Sequence, residues 1–168
     1  MNRDLLNALA REMVRYDAGD PQRIQHFLKV HTLSRLIGET EGLEENVLFT
    51  LEAAAYVHDI GIKLAEAKYG SSAGPYQEEL GPEEARAMLT GLGFDGAVTE
   101  RVCYLVGHHH TYTAIEGLDY QILVEADFLV NLFENQAPRE AIAQALEKIF
   151  RTKTGRSLCR EMFGLNQE

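Results

Sequence analysis

Ala53-Ala54-Ala55-Tyr56-Val57-His58-Asp59-Ile60-Gly61 is the stretch on which the reading of this chain turns. It has the pattern of an apolar helix whose end carries a histidine and an aspartate side by side, with a glycine two residues on. Adjacent residues of a regular helix point about 100° apart. At a helix end both side chains can still turn toward one centre. Neutral imidazole beside a carboxylate suits a borderline divalent ion such as Mn, Fe, Co, Ni or Zn. The plainer alternative is a histidine that favours the C-terminal helix dipole, next to a solvated Asp59.

Outward from this stretch the helical pattern continues in both directions. The helix itself is expected over residues 44–57. An earlier helix over 2–17 carries the stripe Leu5, Leu6, Leu9, Met13 and Val14. Gly19-Asp20-Pro21 stops it and starts the next, with Asp20 as N-cap and Pro21 at the first helical position; Gly42 ends that one. Residues 61–81 hold four glycines (Gly61, Gly70, Gly74 and Gly81) together with Ser71, Ser72 and Pro75. They read as a loop with one helical turn near 64–68, a lid or pocket wall beside the candidate ligands. Gly81-Pro82-Glu83-Glu84 is expected to start a helix running to Leu92. Further helices are expected over 95–109, 118–134, 138–150 and 154–163, with a polar loop at 111–117. Val, Ile and Thr nowhere alternate in the period-2 manner of strands. The expectation is an all-α, compact single-domain helical bundle of seven or eight helices over residues 1–168.

The 168 residues suffice for one domain with a real core. A formal net charge of −10 argues against a large nucleic-acid partner. It leaves room for a small phosphorylated substrate, because a bound metal is itself a strong local positive charge. No apolar run approaches the roughly 18 to 20 residues of a membrane span. The N-terminal stretch lacks the unbroken apolar segment of a signal peptide. A cytoplasmic protein with no membrane partner is expected. Cys103 and Cys159 form no CxxC, so a metal would be held by histidine and carboxylate.

His26 shares a helical face with Val30, Leu33 and Ile37, so it points where apolar side chains point. His31 falls on a different line, with Ile24, Phe27, Leu28 and Arg35. Asp127 lies in the apolar run Ile122–Val130, on a face with Leu123 and Val130. A buried carboxylate wants a metal, an arginine or several donors. A salt bridge to an arginine such as Arg101 is the structural alternative, as a hydrogen-bonded core imidazole is for His26. Glu125 is offset to another face and expected to be exposed. In Gly107-His108-His109-His110 the stripe Val98, Val102, Leu105 points His109 inward, with His108 within reach and His110 in the turn. These histidines suit general acid–base work, a second metal or phosphate donation. Lys63, four residues after Asp59, offers a point charge for a phosphate oxygen; an exposed loop lysine is the alternative.

Taken together, His26-Phe27-Leu28-Lys29-Val30, His58-Asp59-Ile60-Gly61 and Asp127 resemble, in order and spacing, the HD-domain superfamily of metal-dependent phosphohydrolases, over roughly residues 20–135. The resemblance implies His26, His58, Asp59 and Asp127 as ligands of one divalent ion (Mn, Fe, Co, Ni, Zn or Mg), with Asp59 placed to bridge to a second. It implies a phosphomonoesterase or phosphodiesterase that acts on a nucleotide or other small phosphate ester through metal-activated water, with Asp59, Lys63, His108 and His109 in catalytic roles. A second metal in this family usually needs a histidine opening a His-x-x-x-Gly segment. Gln77-Glu78-Glu79-Leu80-Gly81 stands there instead, with Glu78 as a conceivable replacement, so the number of metals is left open. The Gly-Tyr-Pro signature of the cyclic-di-GMP branch is missing. Two alternatives remain: an HD-fold di-iron oxygenase, and a non-catalytic metal- or nucleotide-binding regulatory module.

Overall fold

The computed structural model describes residues 2–166. Nine α-helices and no strand occur among them: α1 (Asn2–Tyr16), α2 (Pro21–Thr40), α3 (Glu45–Val57), α4 (Gly61–Tyr69), α5 (Gly74–Leu92), α6 (Gly96–Val106), α7 (Leu118–Glu134), α8 (Arg139–Lys148) and α9 (Lys153–Phe163). Local chemistry explains several boundaries. Asp20 accepts a hydrogen bond from the Arg23 N–H, with Pro21 behind it, so one orphan donor of the first turn is satisfied. Asp95 caps α6 in the same way through Ala97 and Val98.

α3 is the central rod. Every residue from Thr50 to Val57 is buried, which is how a helix surrounded on all sides behaves. It packs on α1, α2, α6 and α7. Leu9, Val30, Ile37, Leu105 and Leu123 are fully buried around it. The run of three alanines lets these neighbours approach closely.

The structure corrects the expectation for residues 61–81. The segment is not a loop but α4, a short connection at 70–73, and the first part of α5. The helix start expected at Gly81-Pro82 is a position inside α5, which begins at Gly74-Pro75. Pro82 removes one intrahelical bond, but α5 is held against both α4 and α6, and tertiary packing overrides local propensity. Two of the four glycines serve that packing. A Cβ on Gly61 would lie 2.7 Å from the Gln77 carbonyl oxygen, and one on Gly81 2.7 Å from Val106 Cγ1. A third, Gly70, caps α4 in the left-handed region at φ 65°.

A second correction concerns Glu125. It is fully buried, not exposed. Its carboxylate accepts hydrogen bonds from Gln121 Nε2 (2.7 Å), the Arg151 and Thr152 N–H groups (3.1 Å each) and Thr152 Oγ1 (2.7 Å). Thr152 is the N-cap of α9. Glu125 therefore ties the start of α9 to α7.

Candidate metal centre

The turn at 58–60 between α3 and α4 carries His58 and Asp59 inward, opposite His26 on α2 and Asp127 on α7. His26 Nε2 lies 3.2 Å from His58 Nε2, 3.1 Å from Asp127 Oδ1 and 3.1 Å from Asp59 Oδ2. His58 Nε2 lies 3.3 Å from both Asp59 Oδ2 and Asp127 Oδ1. His58 is completely buried, and His26 and Asp127 are 7% and 3% exposed.

The outer ring nitrogens decide what the inner ones can do. His58 Nδ1 donates to the Ala55 carbonyl at 2.7 Å, and His26 Nδ1 donates to the Glu134 carboxylate at 2.6 Å. With Nδ1 carrying the proton, each neutral ring turns a bare Nε2 lone pair toward the other and toward two carboxylates. Five of the six separations among these four electron-rich atoms are 3.1–3.3 Å, so the atoms repel one another unless a positive charge sits among them. Donors about 2.0–2.1 Å from a common ion stand about 3.3–3.4 Å apart in a tetrahedron and about 2.8–3.0 Å apart at adjacent octahedral positions. His26, His58 and Asp59 thus fit a divalent ion in chemistry and spacing, their ligand atoms lying within 4.8 Å of one another, and Asp127 Oδ1 stands 3.1 and 3.3 Å from the two imidazole nitrogens. A hydrogen bond from Asn131 Nδ2 orients Asp127 Oδ1 at 3.0 Å, and the tie from His26 to Glu134 is the outer partner that metal-binding imidazoles characteristically have.

The titration behaviour states the same demand. Burial disfavours the His26 cation, but hydrogen bonds to Asp127 and Asp59 outweigh it and push the pKa up to about 10. Burial likewise opposes charging His58, yet Asp59 and Asp127 raise its pKa well above 6.5. The two carboxyls are held below the usual carboxylate range, against their own desolvation, by His58 and the neighbouring imidazoles. The cluster wants cationic charge, and a metal can replace the protons.

Asp59 uses its other oxygen on a second group. Oδ1 lies 3.3 Å from Nε2 of His109, which is 1% exposed and donates from Nδ1 to the Val106 carbonyl. A nitrogen of His110 joins them, all three ligand atoms lying within 4.8 Å of one another. Gln77, buried at the start of α5, donates to Ser72 O at 2.7 Å and holds His110 Nε2 at 3.1 Å. Burial and the nearby His109 push the His110 pKa down to about 4. Glu78 does not face the His26–His58–Asp59 group. Its carboxylate is taken up by the His110 N–H and the Thr111 hydroxyl.

Some residues singled out by sequence lie elsewhere. Lys63 does not reach the cluster but donates to the Tyr16 carbonyl at 3.0 Å and lies 5.0 Å over the Tyr16 ring. His108 stacks on Tyr104 with ring centroids 4.0 Å apart and binds the Tyr104 carbonyl. α6 ends at Val106, so His109 turns inward from the following turn and its neighbour His108 is carried away. His31 pairs with Glu52 and stacks on Tyr56. Arg101, the alternative partner considered for Asp127, forks instead onto Asp119 at 2.7 and 2.9 Å.

Sequence reading missed Glu134 and Asn131. Both follow Asp127 on α7 at helical spacings of seven and four, the only signal available. His110 lies in the turn where the sequence places it, and Arg23 was missed. A cavity of 380 Å³ reaches the cluster, with His26, Asp59, Arg23, Asn131, Glu134 and Asn135 in its wall. A larger one of 710 Å³ is lined by Phe49, Thr50, Val98 and Asp119 and contains none of His26, His58, Asp59 and Asp127.

The HD domain family matches residues 23–158, and the chain belongs to it. No curated protein matches the sequence. Among solved structures, a predicted HD superfamily hydrolase from an uncultured Thermotogales bacterium is similar at 28% identity and TM-score 0.64, with 96% of this chain and 84% of that one covered. Bacillus subtilis YpgQ shares the fold at 17% identity and TM-score 0.70, with 98% and 89% covered. It has also been solved in complex with ADP, at 18% identity, TM-score 0.65, and 98% and 90% coverage.

Proposed function

We propose that the chain is a metal-dependent phosphohydrolase acting on a small phosphate ester, with a nucleotide among the candidates, and that residues 1–168 act as a single domain. One observation carries this reading: bare imidazole nitrogens and two carboxylates converge at ion-binding distances, with their outer atoms already tied. His26, His58, Asp59 and Asp127 would hold the ion. When bound, it supplies a Lewis acid for a phosphoryl oxygen and a water that ionises near neutral pH. Glu134 and the Ala55 carbonyl keep His26 and His58 in the required tautomer. His109 sets its Nε2 against Asp59 Oδ1 at the edge of the centre, where an imidazole can serve as general acid or base toward the leaving oxygen.

The ADP complex of YpgQ supports a nucleotide-sized ligand for this fold. No described helix is long and apolar enough to cross a membrane, in keeping with a cytoplasmic enzyme of small substrates.

The test is elemental analysis of purified protein beside a phosphoester panel with added Mn, Fe, Co, Ni, Zn or Mg. Asp127→Ala is expected to lose metal and hydrolysis together. Full metal content with normal turnover in that variant would overturn the ligand set. A metal-loaded wild type silent on the whole panel would overturn the enzyme reading in favour of a binding module. Two irons per chain with oxygen uptake would turn it toward a di-iron oxygenase using the Asp59-His109-His110 group.

A further inference from the structure

Among the described residues, Arg23 is the only arginine or lysine in the wall of the cavity that reaches the candidate metal centre. It stands on α2 three residues before His26, so both project from the same face. The rest of that wall is acidic or neutral, with Asp20, Asp59 and Glu134 and the amides of Asn131 and Asn135. A phosphate entering here meets carboxylates on several sides, and Lys63 is engaged with Tyr16. The guanidinium is held by Glu66 of α4, with Nη2 2.7 Å from Oε1, and more loosely by Asp20, with Nε 3.7 Å from Oδ2. Glu66 is half exposed. Such a surface pair is weak and readily exchanged.

We infer that Arg23 is the phosphate-binding side chain of this cavity, parked on Glu66 until the oxygens of a phosphomonoester take the place of that carboxylate. The inference rests on the phosphohydrolase reading and sharpens its substrate class. A guanidinium fork pairs with two oxygens of one phosphate, and an ion held by His26, His58, Asp59 and Asp127 would take a third. A monoester has three non-bridging oxygens, whereas a diester has two. The terminal phosphate of a nucleotide meets the same requirement.

The experiment measures binding of inorganic phosphate to Mn-loaded protein by titration calorimetry, for wild type, Arg23→Gln and Glu66→Gln. Arg23→Gln is expected to weaken phosphate roughly 10- to 100-fold, the loss of a charge-assisted bidentate contact, with metal content and Tm unchanged. Glu66→Gln removes the competitor and is expected to tighten phosphate several-fold. A purely structural ion pair predicts the same sign for both variants, because both break the same contact; equal signs, or no change in either, overturn the inference. With a chromogenic monoester, KM is expected to rise more than kcat falls in Arg23→Gln. A corresponding diester turned over as well as the monoester by wild type would also overturn it. Opposite-signed phosphate shifts without hydrolysis would leave the Arg23 site standing and remove the phosphohydrolase reading. Hydrolysis with same-signed shifts would do the reverse.

Discussion

Gly61→Ala is the most direct test of how the fold sets the site. The added Cβ would lie 2.7 Å from Gln77 O and 3.0 Å from both Gly81 Cα and Gly81 N, where ordinary contact begins at 3.4 Å. All three neighbours are backbone atoms, so no rotamer change relieves the overlap. α4 and α5 must part by about 0.7 Å at their crossing, the difference between contact and overlap. Overpacking of this kind costs about 1–3 kcal/mol. In a domain of this size each kcal/mol moves Tm by about 2–4 °C, which puts the expected loss at roughly 2–12 °C. The effect should extend to the metal. Gly61 lies two residues after Asp59, and metal–donor distances tolerate only about 0.2 Å of error. Metal affinity is expected to fall at least about tenfold, by the scale of a mis-set ligand. Calorimetric melting of metal-free protein, followed by Mn titration against a fluorescent chelator, reads both. Gly91→Ala on the same α5 is the control, since nothing lies within 4 Å of its Cβ. It is expected to be neutral or slightly stabilising by helix propensity. An unchanged Tm in Gly61→Ala, or an equal fall in the control, would refute the close-approach argument.

Other perturbations separate the remaining devices. Glu134→Gln keeps the shape but removes the charge behind His26 Nδ1; metal affinity should fall about 10- to 100-fold while metal-free Tm barely changes, checked by the same chelator competition. Gly155→Ala would drive a Cβ into Glu125 Oε1, so it should break the tie between α7 and α9 and lower Tm by more than Gly61→Ala does. In metal-free protein the pKa of His26 is raised to about 10, above its unfolded value near 6.5. Its contribution to stability is therefore complete below about pH 6.5 and lost as pH rises toward about 10. Melting across pH 6–10 should show that decline without metal, and loading at pH 7 should release protons, seen as a buffer-dependent heat of binding.

The all-helical class and the order of the chemistry-bearing pieces are legible in the residue pattern alone. The period of the apolar residues is a property of each helix alone, so the stripes through His26 and Asp127 marked them as inward-facing before any partner was known. The Ala53–Val57 run leading into His58-Asp59 marked a buried helix that ends in donors. Which faces oppose one another is settled by the packing of the helices. It set His26 and His58 Nε2 3.2 Å apart, turned His109 in and His108 out, and sent Lys63 to Tyr16 while Arg23 entered the cavity wall. It also made helices of residues 61–69 and 74–92 despite their glycines and Pro82. Local propensity counts Gly and Pro as breaks, whereas packing uses Gly61 and Gly81 as the places where two backbones can meet. Periodicity reports a face and carries no information on what lies across from it, and the site is made of what lies across.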